Sequence, residues 1–279
     1  MRPSGAARLA GILGWPVDHS RSPQLHGHWL DHYGIDGAYV PMAVRPEDFA
    51  VAVAALPKLG FVGANVTVPH KEAAYAACDR LDETARRVGA VNTLSFTADG
   101  ILGRNTDGYG FIENLRHGAP GWRAAHGPAV MLGAGGSARA VAVALLDAGL
   151  PELRVLNRTF DRAAALADVL GGRVRAVPWE QFANAASDAS LLINTTTQGM
   201  VGQPALELDL ACLPRTATVT DLIYTPVETP LLADARRRFH PVVDGLGMLL
   251  WQAQPGFAAW FGVEPAVTDA LRAAVLADR

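Results

Sequence analysis

The chain has 279 residues, half of them hydrophobic, and a formal net charge of −3 at neutral pH. That length allows one large or two medium folding units, and the lack of a basic bias excludes the usual electrostatic footprint of a nucleic-acid binder. No apolar run approaches the ~20 residues of a membrane span, and Pro16, Asp18 and Arg21 break up the N-terminal stretch that would otherwise read as a leader. The two cysteines, Cys78 and Cys212, stand in no C-x-x-C or metal-ligand spacing. No disulfide framework or metal site is expected, and a reducing, cytoplasmic setting is.

In chain order, Leu9–Gly14 reads as a short buried strand. Ser22-Pro23 opens a helix to about Tyr33, with Ser22 as N-cap and the proline at the first helical position. Strands over 38–43 and 62–68 flank a helix near 46–56. Helices follow at 72–78 and 82–88, then a strand pair, 90–96 and 101–104, around the turn residues Asp99-Gly100. Another helix covers 107–116. After the break at Pro120, Gly121 and Gly127, strands at 129–132, 153–156, 174–177, 191–193 and 218–222 alternate with helices at 137–148 and 161–170. Such alternation predicts a parallel sheet covered on both faces. Arg236-Arg237-Arg238 sits at the end of a further helix, where cations suit the dipole. The helical stretches 247–261 and 266–277 have no strand left to serve and are expected to pack back on the N-terminal part. The reading is α/β with two domains and a cleft between them. Residues 1–107 plus 245–279 form an α/β substrate domain, and 108–244 a Rossmann-type, doubly wound domain.

Strand 129–132 runs straight into Gly133-Ala134-Gly135-Gly136-Ser137-Ala138, a G-x-G-x-x-A segment between a strand and a helix. The first glycine suits a tight turn, the second close approach of backbone to a pyrophosphate, and Ala138 close packing of helix on sheet. The helix N-terminus offers N–H groups and a positive dipole end to phosphates. The next strand ends Leu156-Asn157-Arg158-Thr159 with Arg162 one turn on, and no carboxylate stands at its tip. Two guanidinium groups four residues apart suit a ribose 2′-phosphate, so NADP(H) is expected over NAD.

Lys58 and Lys71 are the only lysines in an arginine-rich chain. A lysine kept against that background points to chemistry that a permanently charged arginine cannot do. Lys71 ends the second of three polar stretches: 14–23, 63–71, and 89–93 continued by 103–108. Their serines, Thr67, Asn92, Lys71 and Asp107 stand mostly at strand ends and suit a ligand rich in hydroxyls with a carboxylate.

Together these stretches resemble the shikimate dehydrogenase family over nearly the whole chain. Later segments agree: Asn194-Thr195-Thr196 with Gly199-Met200, Asp221-Leu222-Ile223-Tyr224 with Thr229-Pro230, and Asp244-Gly245-Leu246 leading to Met248 and Gln252. The resemblance implies reversible, NADPH-dependent reduction of 3-dehydroshikimate to shikimate in aromatic amino-acid biosynthesis. It implies that Ser20 and Ser22 bind the substrate carboxylate. Thr67, Asn92, Asp107 and Gln252 bind ring hydroxyls with Tyr224 beside them, and Lys71 and Asp107 are the catalytic pair. Gly133, Ala134, Gly135, Gly136, Ser137, Ala138, Asn157, Arg158, Thr159, Arg162, Thr195, Met200, Leu222 and Gly245 fall to the cofactor. A monomer or homodimer acting on a small ring acid, with no nucleic-acid or membrane partner, completes the picture.

Other roles are expected to be structural. Asn65 braces its loop, Asn105 holds backbone beside Asp107, and Trp15, Trp29, Trp251 and Trp260 line core or cleft. Gly27, Gly247 and Trp15 depart from the family pattern and bear on pocket shape. They leave open a paralogue acting on quinate or an aminated relative of shikimate. A catalytically silent cofactor sensor, the third reading, would be expected to have lost Lys71 or Asp107.

Overall fold

The structure, a computed structural model, describes residues 2–277. In chain order the elements are β1 (Arg8–Gly14), α1 (Ser22–His32), β2 (Gly37–Ala43), α2 (Phe49–Ala55), β3 (Phe61–Val66), α3 (Lys71–Ala77), β4 (Arg80–Leu81) and α4 (Glu83–Val88). Then come β5 (Thr93–Thr97), β6 (Gly100–Arg104), α5 (Asp107–Gly118), β7 (Ala129–Leu132), α6 (Gly136–Asp147), β8 (Leu153–Leu156), α7 (Phe160–Leu170), β9 (Val174–Ala176) and α8 (Phe182–Ala186). The chain closes with β10 (Leu191–Asn194), β11 (Thr218–Asp221), α9 (Pro230–Arg237), β12 (Val242–Val243), α10 (Gly245–Phe261) and α11 (Asp269–Leu276). Two compact units result: Met1–Thr106 with Leu250–Arg279, and Asp107–Leu249.

The first unit is built on a six-stranded sheet of order β2-β1-β3-β5-β6-β4. Its β1, β2 and β3 are mutually parallel, as the alternation predicted, but β5 runs antiparallel to both β3 and β6. The sheet is therefore mixed, because the β5–β6 hairpin turns tightly at residues 98–99 and cannot make a crossover. Residues 90–92 stay outside the strand expected there, and β3 ends at Val66 rather than 68. One face packs Leu13, Ala64, Val66 and Leu94 on Phe49, Val53 and Ala85. On α1, Trp29 donates its indole N–H to the Ala266 carbonyl at 2.9 Å, so the C-terminal segment returns to this unit as the apolar pattern indicated.

Ser22 is not an N-cap. Arg21 holds that position without a side-chain cap bond, and Ser22 and Pro23 are the first two helical residues. The proline fills the first turn either way, which is why the sequence signal was off by one position.

The second unit is a six-stranded, wholly parallel sheet of order β12-β11-β10-β7-β8-β9. Counted within the unit this is the doubly wound order 3-2-1-4-5-6, with the switch beside β7. The period-2 alternation of β7 sends Ala129 and Met131 to one core with Val141 and Leu145. Val130 and Leu132 go to the other, with Leu192, Val219 and Leu232. Both faces are buried, so the strand reads as an unbroken apolar run. The triplet at the end of α9 is neutralised locally: Arg236 pairs with Glu228, and Arg237 and Arg238 pair with Asp234. Among the described residues no helix is long and apolar enough to cross a membrane, and no cluster of His, Cys, Asp or Glu could hold a metal.

His26 lies at the centre of the first unit's aromatic core, stacked on the Tyr39 ring at 4.0 Å and ringed by Trp29, Phe257 and Trp260. Its nitrogens make no well-formed hydrogen bond among the described residues. Burial pushes its pKa down to about 3, against a weaker opposing pull from Asn65. Below pH 6.5 the unfolded chain takes up a proton that the native histidine refuses, so stability falls as pH falls, by roughly 2 kcal/mol at pH 5. Urea unfolding from pH 7 to 5 is expected to show His26→Phe losing less stability across that interval than the parent; equal slopes would refute the assignment.

Candidate functional site

In the first unit the polar stretches meet where β1 and β3, paired in parallel, both end. The Thr67 amide donates to the Leu13 carbonyl at 2.9 Å and the Trp15 amide to the Val68 carbonyl at 3.1 Å, which ties the two strand-to-helix loops together. Ser20 Oγ accepts from the Ser22 amide at 3.3 Å, so the S-x-S turn holds its own first hydroxyl. Ser22 is buried. Lys71 is the first residue of α3, and its carbonyl accepts from the Val91 amide at 2.9 Å, bringing the 89–92 loop to it.

Asn92 is the node of that loop. Its Nδ2 donates to Thr106 Oγ1 at 3.0 Å and to Gln252 Oε1 at 3.3 Å, and its Oδ1 accepts from the Thr106 amide at 2.9 Å. The adjoining Asn105 Nδ2 holds the Ala90 carbonyl at 3.0 Å. The two residues before Asp107 are thus pinned, and Asp107 opens α5. Asn65 braces as expected: its Nδ2 donates to the Asn92 carbonyl and to Thr93 Oγ1, both at 3.2 Å. Trp29 and Trp260 are core residues, but Trp15 is 42% exposed, with the Arg45 guanidinium 5.6 Å from its ring centroid.

In the second unit, β7 ends in Gly133 at φ +106°, a conformation closed to most side chains. Its amide donates to the Leu156 carbonyl, while Thr195 reaches the Leu132 carbonyl through both its amide, at 2.9 Å, and Oγ1, at 2.7 Å. Gly135 caps α6 and Ala138 is fully buried. Around Gly135 and Gly136 there is open space where side chains would stand, so a phosphate can approach the helix N-terminus. Asn157, Arg158, Thr159 and Arg162 line one cavity of about 700 Å³. Its other walls include Trp179, Thr197, Gln198 and Glu207; Thr197 and Gln198 fall between the residues quoted from the 194–200 segment, while Trp179 and Glu207 come from stretches with no motif of their own. The residues present fit a dinucleotide with a 2′-phosphate.

A buried polar knot holds this edge. Asp221, fully buried at the end of β11, accepts from Asn194 Nδ2 and the Ile223 amide at 3.0 Å and from Thr229 Oγ1 at 2.8 Å. Burial pushes its carboxyl up from the usual range, and the three donors pull it back. Asn194 Oδ1 in turn accepts from the Thr196 amide and hydroxyl. The knot shapes the loops carrying Thr195, Met200, Leu222 and Tyr224. At the start of α10, a Cβ on Gly245 would overlap the Leu222 and Ile223 carbonyls, and one on Gly247 the Asn114 amide, which itself holds the Asp244 carbonyl at 2.7 Å. Gly247, a departure from the family pattern, is therefore matched by Asn114. Nothing lies within 4 Å of where a Cβ would stand at Gly27.

The class is thus a dinucleotide-binding Rossmann unit joined to a mixed-sheet α/β unit with a polar strand-end site. The chain matches the shikimate dehydrogenase substrate binding domain over residues 12–94 and the shikimate / quinate 5-dehydrogenase domain over 122–203. It is 61% identical to the shikimate dehydrogenase (NADP(+)) of Paramagnetospirillum magneticum over 98% of this chain and 99% of that one. The Thermus thermophilus shikimate 5-dehydrogenase, solved with NADP(H) and shikimate, superposes with a TM-score of 0.86 at 38% identity, covering 96% of this chain and 98% of that one. The Corynebacterium glutamicum quinate dehydrogenase, solved with NAD, gives 0.89 at 33% identity over 97% and 99%. The chain belongs to the shikimate dehydrogenase family.

Asp221→Ala would leave three buried donors without an acceptor, at about 1–3 kcal/mol each. Urea unfolding is expected to show a loss of at least roughly 3 kcal/mol; a loss below about 1 kcal/mol would remove the knot from this account.

Proposed function

We propose that this chain catalyses the reversible, NADPH-dependent reduction of 3-dehydroshikimate to shikimate, a step of aromatic amino-acid biosynthesis, in the cytoplasm and as a monomer or homodimer. The observation that carries this reading is the near-full-length 61% identity to an NADP-dependent shikimate dehydrogenase. The arginine-lined cavity of the Rossmann unit supports the cofactor choice. Residues 1–107 with 245–279 act as the substrate domain and 108–244 as the cofactor domain.

Ser20 and Ser22 take the carboxylate. Thr67, Asn92, Asp107 and Gln252 take the ring hydroxyls, with Tyr224 beside them. The glycine loop from Gly133 to Ala138 takes the pyrophosphate, and Arg158 and Arg162, with Asn157 and Thr159, the 2′-phosphate. Thr195, Met200, Leu222 and Gly245 line the rest of the cofactor's path. When bound, the cofactor supplies the hydride that reaches the carbonyl carbon. As negative charge grows on the carbonyl oxygen, Lys71 Nζ stabilises it and donates a proton. Asp107 holds the lysine and the hydroxyl in line, and in oxidation it shares in receiving the proton. Arg158 and Arg162 disfavour the quinate and NAD pairing of the Corynebacterium neighbour.

Absorbance at 340 nm with shikimate or quinate, each with NADP or NAD, tests the reading. Fast turnover with shikimate and NADP alone is expected; equal or better turnover with quinate or NAD would move the chain to the quinate class. Lys71→Arg keeps the charge but holds its proton too tightly, so kcat should fall at least about 100-fold. A near-parental kcat in that variant would remove Lys71 from proton transfer.

A further inference from the structure

Asparagine is a weak helix former, and a carboxamide is costly to bury unless it is hydrogen-bonded. Asn114 nonetheless stands buried in the second half of α5, on the helix that sends Phe111, Ile112 and Leu115 into the core of the second unit. Its Nδ2 donates to the Asp244 carbonyl at 2.7 Å, across 130 positions of sequence. Asp244 is the last residue before α10, and its own Oδ1 accepts from the Leu246 amide at 3.0 Å. The aspartate thus shapes the first turn of α10 from within, while Asn114 ties that turn to α5.

The glycines show how closely the backbone is held there. A Cβ on Gly245 would stand 2.3 Å from the Leu222 carbonyl oxygen, and one on Gly247 only 1.8 Å from Asn114 Oδ1. Any larger residue at 247 therefore displaces the carboxamide, so Asn114 and Gly247 act as one device. At the far end of α5, a Cβ on Gly118 would meet the Val243 side chain at 3.0 Å; near its start, one on Gly108 would meet the Ala140 carbonyl oxygen at 2.9 Å. α5 therefore lies against α6, which opens on the glycine loop, and against the chain that enters α10. We propose that Asn114 is a positioning residue of the cofactor site. By holding the Asp244 carbonyl it fixes Gly245, and the Leu222 backbone packed on it, relative to the glycine loop. It thereby places the nicotinamide end of the dinucleotide and leaves the 2′-phosphate end to Arg158 and Arg162.

This rests on the cofactor role proposed for Gly245 and Leu222, and the test reads binding rather than turnover. Calorimetric titration compares NADP with 2′,5′-ADP, which carries the adenosine half and its 2′-phosphate but no nicotinamide. In Asn114→Ala the Kd for NADP is expected to rise about tenfold, while that for 2′,5′-ADP stays within about twofold. Gly247→Ala, which drives the amide off the Asp244 carbonyl, should reproduce that pattern. Combined, the two should fall well short of the product of their single effects. The double variant also separates positioning from stability. Alanine at 247 fills space left by the carboxamide and favours the helix, so its Tm should rise above that of Asn114→Ala, with NADP binding still weak. An NADP Kd near the parental value in Asn114→Ala overturns the inference. So does an equal loss of 2′,5′-ADP binding, or recovery of NADP binding along with Tm in the double variant. Parental binding of NADP without turnover of shikimate would remove the proposed reaction and leave the role of Asn114 intact; a parent that binds neither nucleotide overturns both.

Discussion

Parallel strands can be joined only by a crossover, and that constraint delivers every strand-to-helix loop to the same edge of its sheet. In the first unit it places the loop after β1 and the loop after β3 side by side, so that serines from one and Thr67 and Lys71 from the other arise within two hydrogen-bonded neighbours. In the second unit it sets the glycine loop after β7 between the loops after β8 and β10, at the point where the strand order reverses. The chemistry-bearing residues are scattered in sequence because strands must alternate with helices, and they are gathered in space for the same reason.

Such edges are made of irregular backbone, whose amides and carbonyls need partners once they leave water. The chain meets part of this need with side-chain carboxamides and carboxylates. Asn92 serves Thr106 and Gln252 in the first unit; Asn194 and Asp221 serve the loops at 195–198 and 223–229 in the second. A side chain with both donors and acceptors can close such a network completely, and a closed network specifies one loop geometry where a packed apolar group would tolerate several. Asp221 illustrates the cost: burial raises its pKa, and only the three converging donors keep the carboxyl useful as an acceptor.

Much of this was legible in the sequence because it follows from local rules. The apolar run at 129–132, the glycines after it and the arginines one strand later are each read from neighbours along the chain, and β7 and β8 fall at the positions read for them. The two-residue strands β4 and β12 escaped notice because they carry no period to detect; their pairing is set by partners elsewhere. Ser22 reads as a helix cap because serine suits the N-cap and proline the first helical position, whereas the helix starts one residue earlier and takes Ser22, buried, into its first turn. Tyr39 looked like any aromatic on an alternating strand. Its hydroxyl acquires meaning only when Asn65, 26 positions downstream, closes on it at 2.7 Å.

The cofactor pocket shows the same division between local and distant information. Judged at the tip of β8, the site holds two arginines and no carboxylate, which favours a 2′-phosphate. The folded unit adds Glu207 to that cavity, brought by the long segment between β10 and β11. A carboxylate facing two guanidinium groups does not cancel them. With two guanidinium groups and one carboxylate in its walls, the cavity keeps a net positive charge. The residues at the strand tip are thus only the part of the cavity that sequence spacing can reach; Trp179 and Glu207 join its walls through the fold.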